Sequence, residues 1–276
     1  MKIKIFFFLI AVITQAQFQR EFVDATIHFK NHEILQGYIF DDFKQNDWYG
    51  KFDSDKTAIV GETMNYPTTT SSFQTIIKTI LYKANADDGQ QTPYDSKDID
   101  FIIVNRNGQI QKYITTNVVR GNYKGLEEVK FDTLNRNIWL PVKKEGKINM
   151  YGYYNWTIKK RNGWGEIYFQ RNGEDFSINP ILSHKLATLN GQRMLIKASL
   201  LKIFNDCPEF KQNIEQIIDE YINDFHKARQ LTAEERKLIK SQSKKERDRF
   251  EFELKEKKSF VPYENILKKY NNYCDN

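Results

Sequence analysis

Two Asn-Gly dipeptides, Asn162-Gly163 and Asn172-Gly173, stand ten residues apart between segments in which apolar and polar residues alternate. Each ends an Arg-Asn-Gly triplet, and the same triplet occurs at Arg106-Asn107-Gly108. Asn-Gly is the strongest short-range hairpin signal, because a type I′ turn needs positive φ at both central residues. A turn at Asn162-Gly163 sets Ile158 opposite Ile167, Trp156 opposite Phe169 and Lys159 opposite Glu166. A turn at Asn172-Gly173 sets Phe169 opposite Phe176, Ile167 opposite Ile178 and Arg171 opposite Glu174. The two turns agree on one register, with apolar rows on one face and opposite charges on the other. Such cross-strand pairs contribute roughly 0.2–1 kcal/mol each. The triplets therefore read as hairpin tips of a meander whose first strand is Ile148 to Lys159, not as a repeated element for phosphate or nucleic acid.

Strand signals continue upstream. Val23, Ala25, Ile27 and Phe29 alternate with Asp24, Thr26, His28 and Lys30, the period of a half-buried strand. With Asn31-His32 as the turn, Lys30 faces Glu33 and Phe29 faces Ile34 in a hairpin that ends near Phe40. Phe43 to Val60 has weaker strand character, and Gly61 to Ser72 is loop by composition. Phe73, Ile76, Ile77, Ile80 and Leu81 recur at helical spacing behind Ser72 as N-cap, although their β-branched residues also suit a strand. Ala84 to Asp98 reads as a linker or long loop. Phe101 to Val104 then pairs back through Asn107-Gly108 to a strand ending near Tyr113.

The chain opens MKIKIFFFLIAVITQAQ. Lys2 and Lys4 precede an unbroken apolar run, Ile5 to Ile13, which is too short to span a bilayer at ~20 residues. Thr14 and Ala16 offer small residues at a cleavage site, so residues 1–16 read as a secretory signal peptide. No cysteine stands directly after the run, and no second run is long enough to span a membrane after signal cleavage. The formal net charge is +6, and loss of Lys2 and Lys4 leaves +4, too little to hold a polyanion by itself. The 2 cysteines, Cys207 and Cys274, suggest a disulfide in an exported chain. Two separate buried thiols are the plain alternative.

After Pro180 the period changes. Leu195, Ile196, Leu200, Leu201 and Phe204, then Ile214, Ile217, Ile218 and Tyr221, fall at helical spacing. Thr232 and Glu235 form a capping-box pattern. The charged segment that follows, residues 232–258, has too few apolar residues to bury a full face and reads as a solvated helix or an insertion. A final helix from about Tyr263 to Tyr273 returns Cys274 toward Cys207.

Catalytic signatures are missing from the sequence. His32-Glu33-Ile34-Leu35-Gln36 stops short of H-E-x-x-H and falls on a turn. The 4 histidines are scattered, which argues against a zinc centre. Ser183-His184 lacks the nucleophile elbow, and Gly163 and Gly165 do not extend to a dinucleotide-binding loop. No cofactor, metal or catalytic residue is assigned. A pair of acids for glycoside hydrolysis leaves no spacing signature. The aromatic residues Tyr151 and Tyr153, with Arg161 and Trp164 at the hairpin tip, form a candidate binding surface for a sugar ring or a partner protein. A second layer covering Tyr151 and Tyr153 is the bland alternative.

Asn205-Asp206-Cys207-Pro208-Glu209-Phe210 and Lys269-Tyr270-Asn271-Asn272-Tyr273-Cys274, with Lys144 to Tyr151 as a central strand, resemble a group of uncharacterised exported proteins of Gram-negative bacteria. The group shares a signal peptide, a strand-rich body and a helical tail with an acidic-Cys-Pro start and a Tyr-Asn…Cys finish. The resemblance implies export and architecture, and it carries no functional residues.

The expectation is an α+β protein: a signal peptide at 1–16, an antiparallel, meander- or barrel-like body at 17–182 and a helical region at 183–276 closed by Cys207–Cys274. The expected location is periplasmic or secreted. The expected function is a non-enzymatic binding module for an envelope protein or glycan, with no nucleic acid partner. The alternative is a hydrolase of envelope polymers using a spatial carboxylate pair.

Overall fold

A computed structural model describes residues 22–41, 43, 77–123, 129–157, 162–180, 189–243 and 246–274. Residues 1–21, which include the segment expected to be a signal peptide, and most of residues 42–76 lie outside the described residues. The fold is α+β, a barrel-like and mostly antiparallel sheet followed by helices.

The described strands are β1 (Phe22–Phe29), β2 (Ile34–Phe40), β3 (Thr79–Lys83), β4 (Thr92–Asp95), β5 (Ile99–Arg106), β6 (Gln109–Tyr123), β7 (Val129–Lys144), β8 (Ile148–Thr157), β9 (Asn162–Arg171) and β10 (Phe176–Ile178). Their order in the sheet is β10-β9-β8-β7-β6-β5-β1-β2-β3-β4. Strand β10 also pairs in parallel with β6, Ser177 opposite Val118, which closes β6 to β10 into a ring.

The Asn107-Gly108 turn forms as expected. Both residues have positive φ, 52° and 88°, and Arg106 pairs with Gln109. The first hairpin is slipped by one residue from its expected register: His28, not Phe29, faces Ile34. The cause is His32, at φ 70°, which adds a residue in the left-handed region to the turn. The amide of Phe29 donates to the Glu33 carbonyl and that of His32 to the Phe29 carbonyl. This is the three-residue loop with a bulge. Since a one-residue slip exchanges faces, it puts Ile27 opposite Leu35 in the core and leaves Ile34 53% exposed.

The hairpin of β8 and β9 also differs. Thr157 pairs with Asn162 and Met150 with Phe169, a six-residue shift, so Asn162-Gly163 begins β9 and is not the tip. The shift is even, so each side chain keeps its expected face and only its partner changes. Gly152 shows why this register needs glycine. A Cβ there would lie 2.4 Å from the Glu166 carbonyl oxygen, with φ at 155°. The second turn forms at Asn172-Gly173, where the Glu174 amide donates to the Arg171 carbonyl. Beyond it Ile178, not Phe176, faces Phe169, because β10 also docks on β6.

The helical spacing around Ile77 to Leu81 does not produce a helix in the described part. Ile80 and Leu81 lie in β3, and Ile77 and Ile80 are buried. Residues 73–76 lie outside the described residues. The expected loop 84–98 contains β4 and a short 3₁₀ turn, Ser96–Asp98.

The helices are α1 (Leu189–Ile203), α2 (Pro208–Gln212), α3 (Ile214–Ala228), α4 (Ala233–Ser241) and α5 (Arg247–Cys274). Their apolar stripes cover the outer face of the ring, where Met150, Ile167, Phe169 and Ile178 meet Phe204, Ile218, Tyr263 and Tyr270. The opposite faces of the ring strands form a separate core of Val118, Ile138, Leu140, Tyr151, Tyr153 and Tyr168. A third core lies under β1 to β5 and includes Ile27, Ile39, Ile102 and Trp139. Cys207 and Cys274 are bonded as expected and join the start of α2 to the end of α5.

The charged segment is neither one helix nor an appendage. Helix α4 carries the expected capping box, Thr232 with Glu235. The second part of the segment runs without a break through Pro262 into the terminal helix. Its Lys258 pairs with Glu235 at 2.6 Å, and its Phe252 contacts the Tyr154 ring at 5.5 Å.

Candidate functional site

Tyr151 and Tyr153 do not form an exposed platform. Each is 4% accessible and points into the ring core. Tyr151 donates to Gln170 at 2.8 Å, and Tyr153 donates to the Trp139 carbonyl. The layer expected as the bland alternative is the ring itself, which brings β6 and β7 over this face of β8. The side chains of Arg161 and Trp164 lie outside the described residues.

A different concave surface forms where β1, β2, β5 and β6 end together beside the Asn107-Gly108 turn. It is a half-open groove of about 620 Å³. That volume lies within the usual range for small-molecule and cofactor sites, roughly 300–1,000 Å³. Its chemistry follows from strand alternation. Residues directly paired across neighbouring strands share a face. Tyr38 pairs with Asp24, and Asp24 with Asn105, so the three stand in one row on the face away from the third core. Val23, Arg106 and Asp41 line the groove from the other side.

The row is held by the turn. The Asn105 amide nitrogen donates to Asp24 at 3.0 Å, and its amide oxygen accepts from the Gly108 N–H at 2.9 Å. The carboxamide is fixed at both ends, so the Asp24 carboxylate is aimed by a rigid neighbour. Behind the row, Arg106 forks onto both oxygens of Asp41, at 2.6 Å each, and reaches the Tyr113 hydroxyl at 3.1 Å. The Asp41 side chain is only 2% exposed, and such planar two-point pairing is the strong form of this interaction. Burial alone would lower the Arg106 pKa, but its hydrogen bonds to Asp41 and Tyr113 and the charge interactions with both together outweigh it and hold the guanidinium above its ordinary range. Burial raises the Tyr113 hydroxyl, with Arg106 opposing. Under the fork, Phe43 lies 4.6 Å from the Tyr113 ring and 5.2 Å from Trp139.

The arrangement suits binding more than acid–base chemistry. Both Asp41 oxygens are taken by Arg106, and Asp24 already accepts from Asn105. The carboxamides of Asn105, Asn107 and Gln109 can each donate and accept, and Phe22 and Tyr38 add ring surface. Among the described residues no group of His, Cys, Asp and Glu could hold a metal ion. No helix among them is long and apolar enough to cross a membrane.

None of these groove residues reads as a binding residue from the sequence. The partners of Asn105 and Arg106 lie 81 and 65 residues away, so no local spacing announces them. The one local signal was Arg106-Asn107-Gly108, read as a turn, which it is. The chain matches no family model, no curated protein and no solved structure.

Proposed function

We propose that this protein is an exported, non-enzymatic binding module of the cell envelope, periplasmic or secreted, that takes a glycan into the groove at the end of β1, β2, β5 and β6. The observation that carries the reading is the fixed row Tyr38, Asp24 and Asn105 beside a neutralised Arg106–Asp41 pair. Preorganised polar groups lower the ordering cost of binding. Export is supported by the basic and apolar N-terminal run, and the disulfide is compatible with it. The resemblance to exported Gram-negative proteins points to the same compartment. The hydrolase alternative gains no support from the two acids of this groove, because both are engaged by fixed donors.

The test is capture of the purified, oxidised chain on isolated envelopes, comparing wild type with the Asp24→Ala, Asn105→Ala double variant. Saturable capture that is lost in the variant supports the reading. Equal capture of both proteins places binding elsewhere and overturns it.

A further inference from the structure

We infer that Asn172 is a site of self-modification, where the chain converts asparagine to aspartate and isoaspartate, and that Asn105 guards Asn107 against the same reaction. An asparagine that precedes glycine is open to attack by the glycine nitrogen on its side-chain carbonyl. The new N–Cγ bond forms as the Cγ–Nδ2 bond breaks, and the glycine proton leaves with the amide as ammonia. Water then opens the succinimide at either carbonyl, giving aspartate or isoaspartate. The attacking nitrogen must shed its proton. A hydrogen bond that holds the protonated N–H favours that form and slows the step.

Two exposed Asn-Gly turns make a matched pair. Gly108 and Gly173 have nearly the same φ, 88° and 89°, and open space around both. They differ at the residue two places before the asparagine. At the first turn it is Asn105, whose amide oxygen accepts the Gly108 N–H at 2.9 Å, so the nucleophile is held. The amide nitrogen of Asn105, anchored on Asp24 at 3.0 Å, keeps that oxygen in place. At the second turn it is Gln170. Its oxygen accepts from the Tyr151 hydroxyl at 2.8 Å, and its nitrogen donates to the Glu174 carbonyl at 2.6 Å. This carboxamide is committed to β8 and to the far side of the turn, so it does not guard Gly173 as Asn105 guards Gly108. Asn162-Gly163 is not a third such turn, because it lies in the ladder opposite Thr157 and Trp156. Conversion of Asn107 would add a carboxylate to the groove lining. Isoaspartate at Asn172 would lengthen the backbone between β9 and β10 by a methylene.

The experiment is peptide mapping by mass spectrometry of the oxidised chain during incubation at mildly alkaline pH. Isoaspartate peptides are resolved from their asparagine and aspartate forms by chromatography. The expected result is conversion of Asn172, with Asn107 slower by about fivefold or more, the scale of one hydrogen bond. Asn107 has positive φ and Asn172 does not, so a variant must separate the guard from the backbone shape. Asn105→Ala should bring Asn107 toward the Asn172 rate, with Asn172 as the reference in the same molecule. Asp24→Ala, which leaves the Asn105 oxygen present, should keep Asn107 the slower site. Equal rates at the two sites in the wild type, or an Asn172 that stays intact, would overturn the inference. So would an Asn107 that stays slow in Asn105→Ala while Asn172 converts at its wild-type rate.

Discussion

Tyr270 donates its hydroxyl to the carboxylate of Asp206, 3.0 and 2.9 Å from its two oxygens, one residue before the bonded Cys207. Arg171 at the end of β9 reaches the same carboxylate at 2.9 Å, and Lys147 before β8 at 3.4 Å. One carboxylate thus ties the ring strands to the link between α1 and α2 and to α5. Burial works to raise the Asp206 pKa, but the Tyr270 and Arg171 hydrogen bonds outweigh it and lower it. A carboxyl lowered on folding stabilises above its unfolded value, about 3.9, and that contribution is lost as pH falls through the lower folded value. Denaturant melts of Asp206→Asn should therefore show a lower stability at pH 7. They should also show a smaller further loss than wild type between pH 5 and pH 3. Parallel pH curves for the two proteins would contradict this.

Reduction should weaken the helical layer. The Cys207–Cys274 bond closes a loop with a sequence separation of 67 residues. On the chain-entropy estimate its loss costs about 4 kcal/mol. Cys207→Ser with Cys274→Ser should lower the urea midpoint, and reductant should lower the wild type to the same value. A midpoint unmoved by reductant would refute the contribution.

Gly152 and Gly146 should respond oppositely to alanine. At Gly152 the added Cβ meets the Glu166 carbonyl, and strain of this kind costs on the order of 1–3 kcal/mol. At Gly146 the nearest atom is 3.8 Å away and φ is not positive, so alanine should be neutral or stabilising by about 0.4–1 kcal/mol. Thermal melts of the two variants check the contrast, and equal losses would sink the assigned register of β8 on β9.

The ring core has an alkaline signature. Burial pushes the Tyr151 hydroxyl up to about 12. A group whose folded pKa is raised stabilises fully below its unfolded value, near 10, and loses that contribution as pH rises through the folded value. Stability should fall between about pH 10 and pH 12, and Tyr151→Phe should flatten that fall. An unchanged fall in the variant would argue that Tyr151 is solvent-exposed.

What was legible in the sequence was local. Asn107-Gly108 is a two-residue turn whose neighbours pair directly, so its register followed from the dipeptide. The even cysteine count anticipated the bond, and Thr232 with Glu235 anticipated the cap. Asn162-Gly163 misled because the same dipeptide serves two purposes. Here Gly163 and Gly165 lie within β9, opposite Trp156 and Tyr154, so the dipeptide is part of a strand. His32 shifted the first hairpin by taking positive φ, which is uncommon for any residue but glycine and so was not read from the sequence. The ring and the groove were hidden for a common reason. Both depend on pairings between distant strands, Val118 with Ser177 and Asp24 with Asn105, that no window of sequence contains. Tyr151 and Tyr153 looked like a surface because the strand covering them could not be counted in advance.

The functional reading depends on export, and the intact mass of the protein from its native host tests that most directly. The account predicts a chain beginning at Gln17 whose mass rises by ~2 Da on reduction, as one disulfide takes up two hydrogens. A chain that retains residues 1–16 and carries free thiols would contradict it, and the envelope glycan would lose its claim as the ligand.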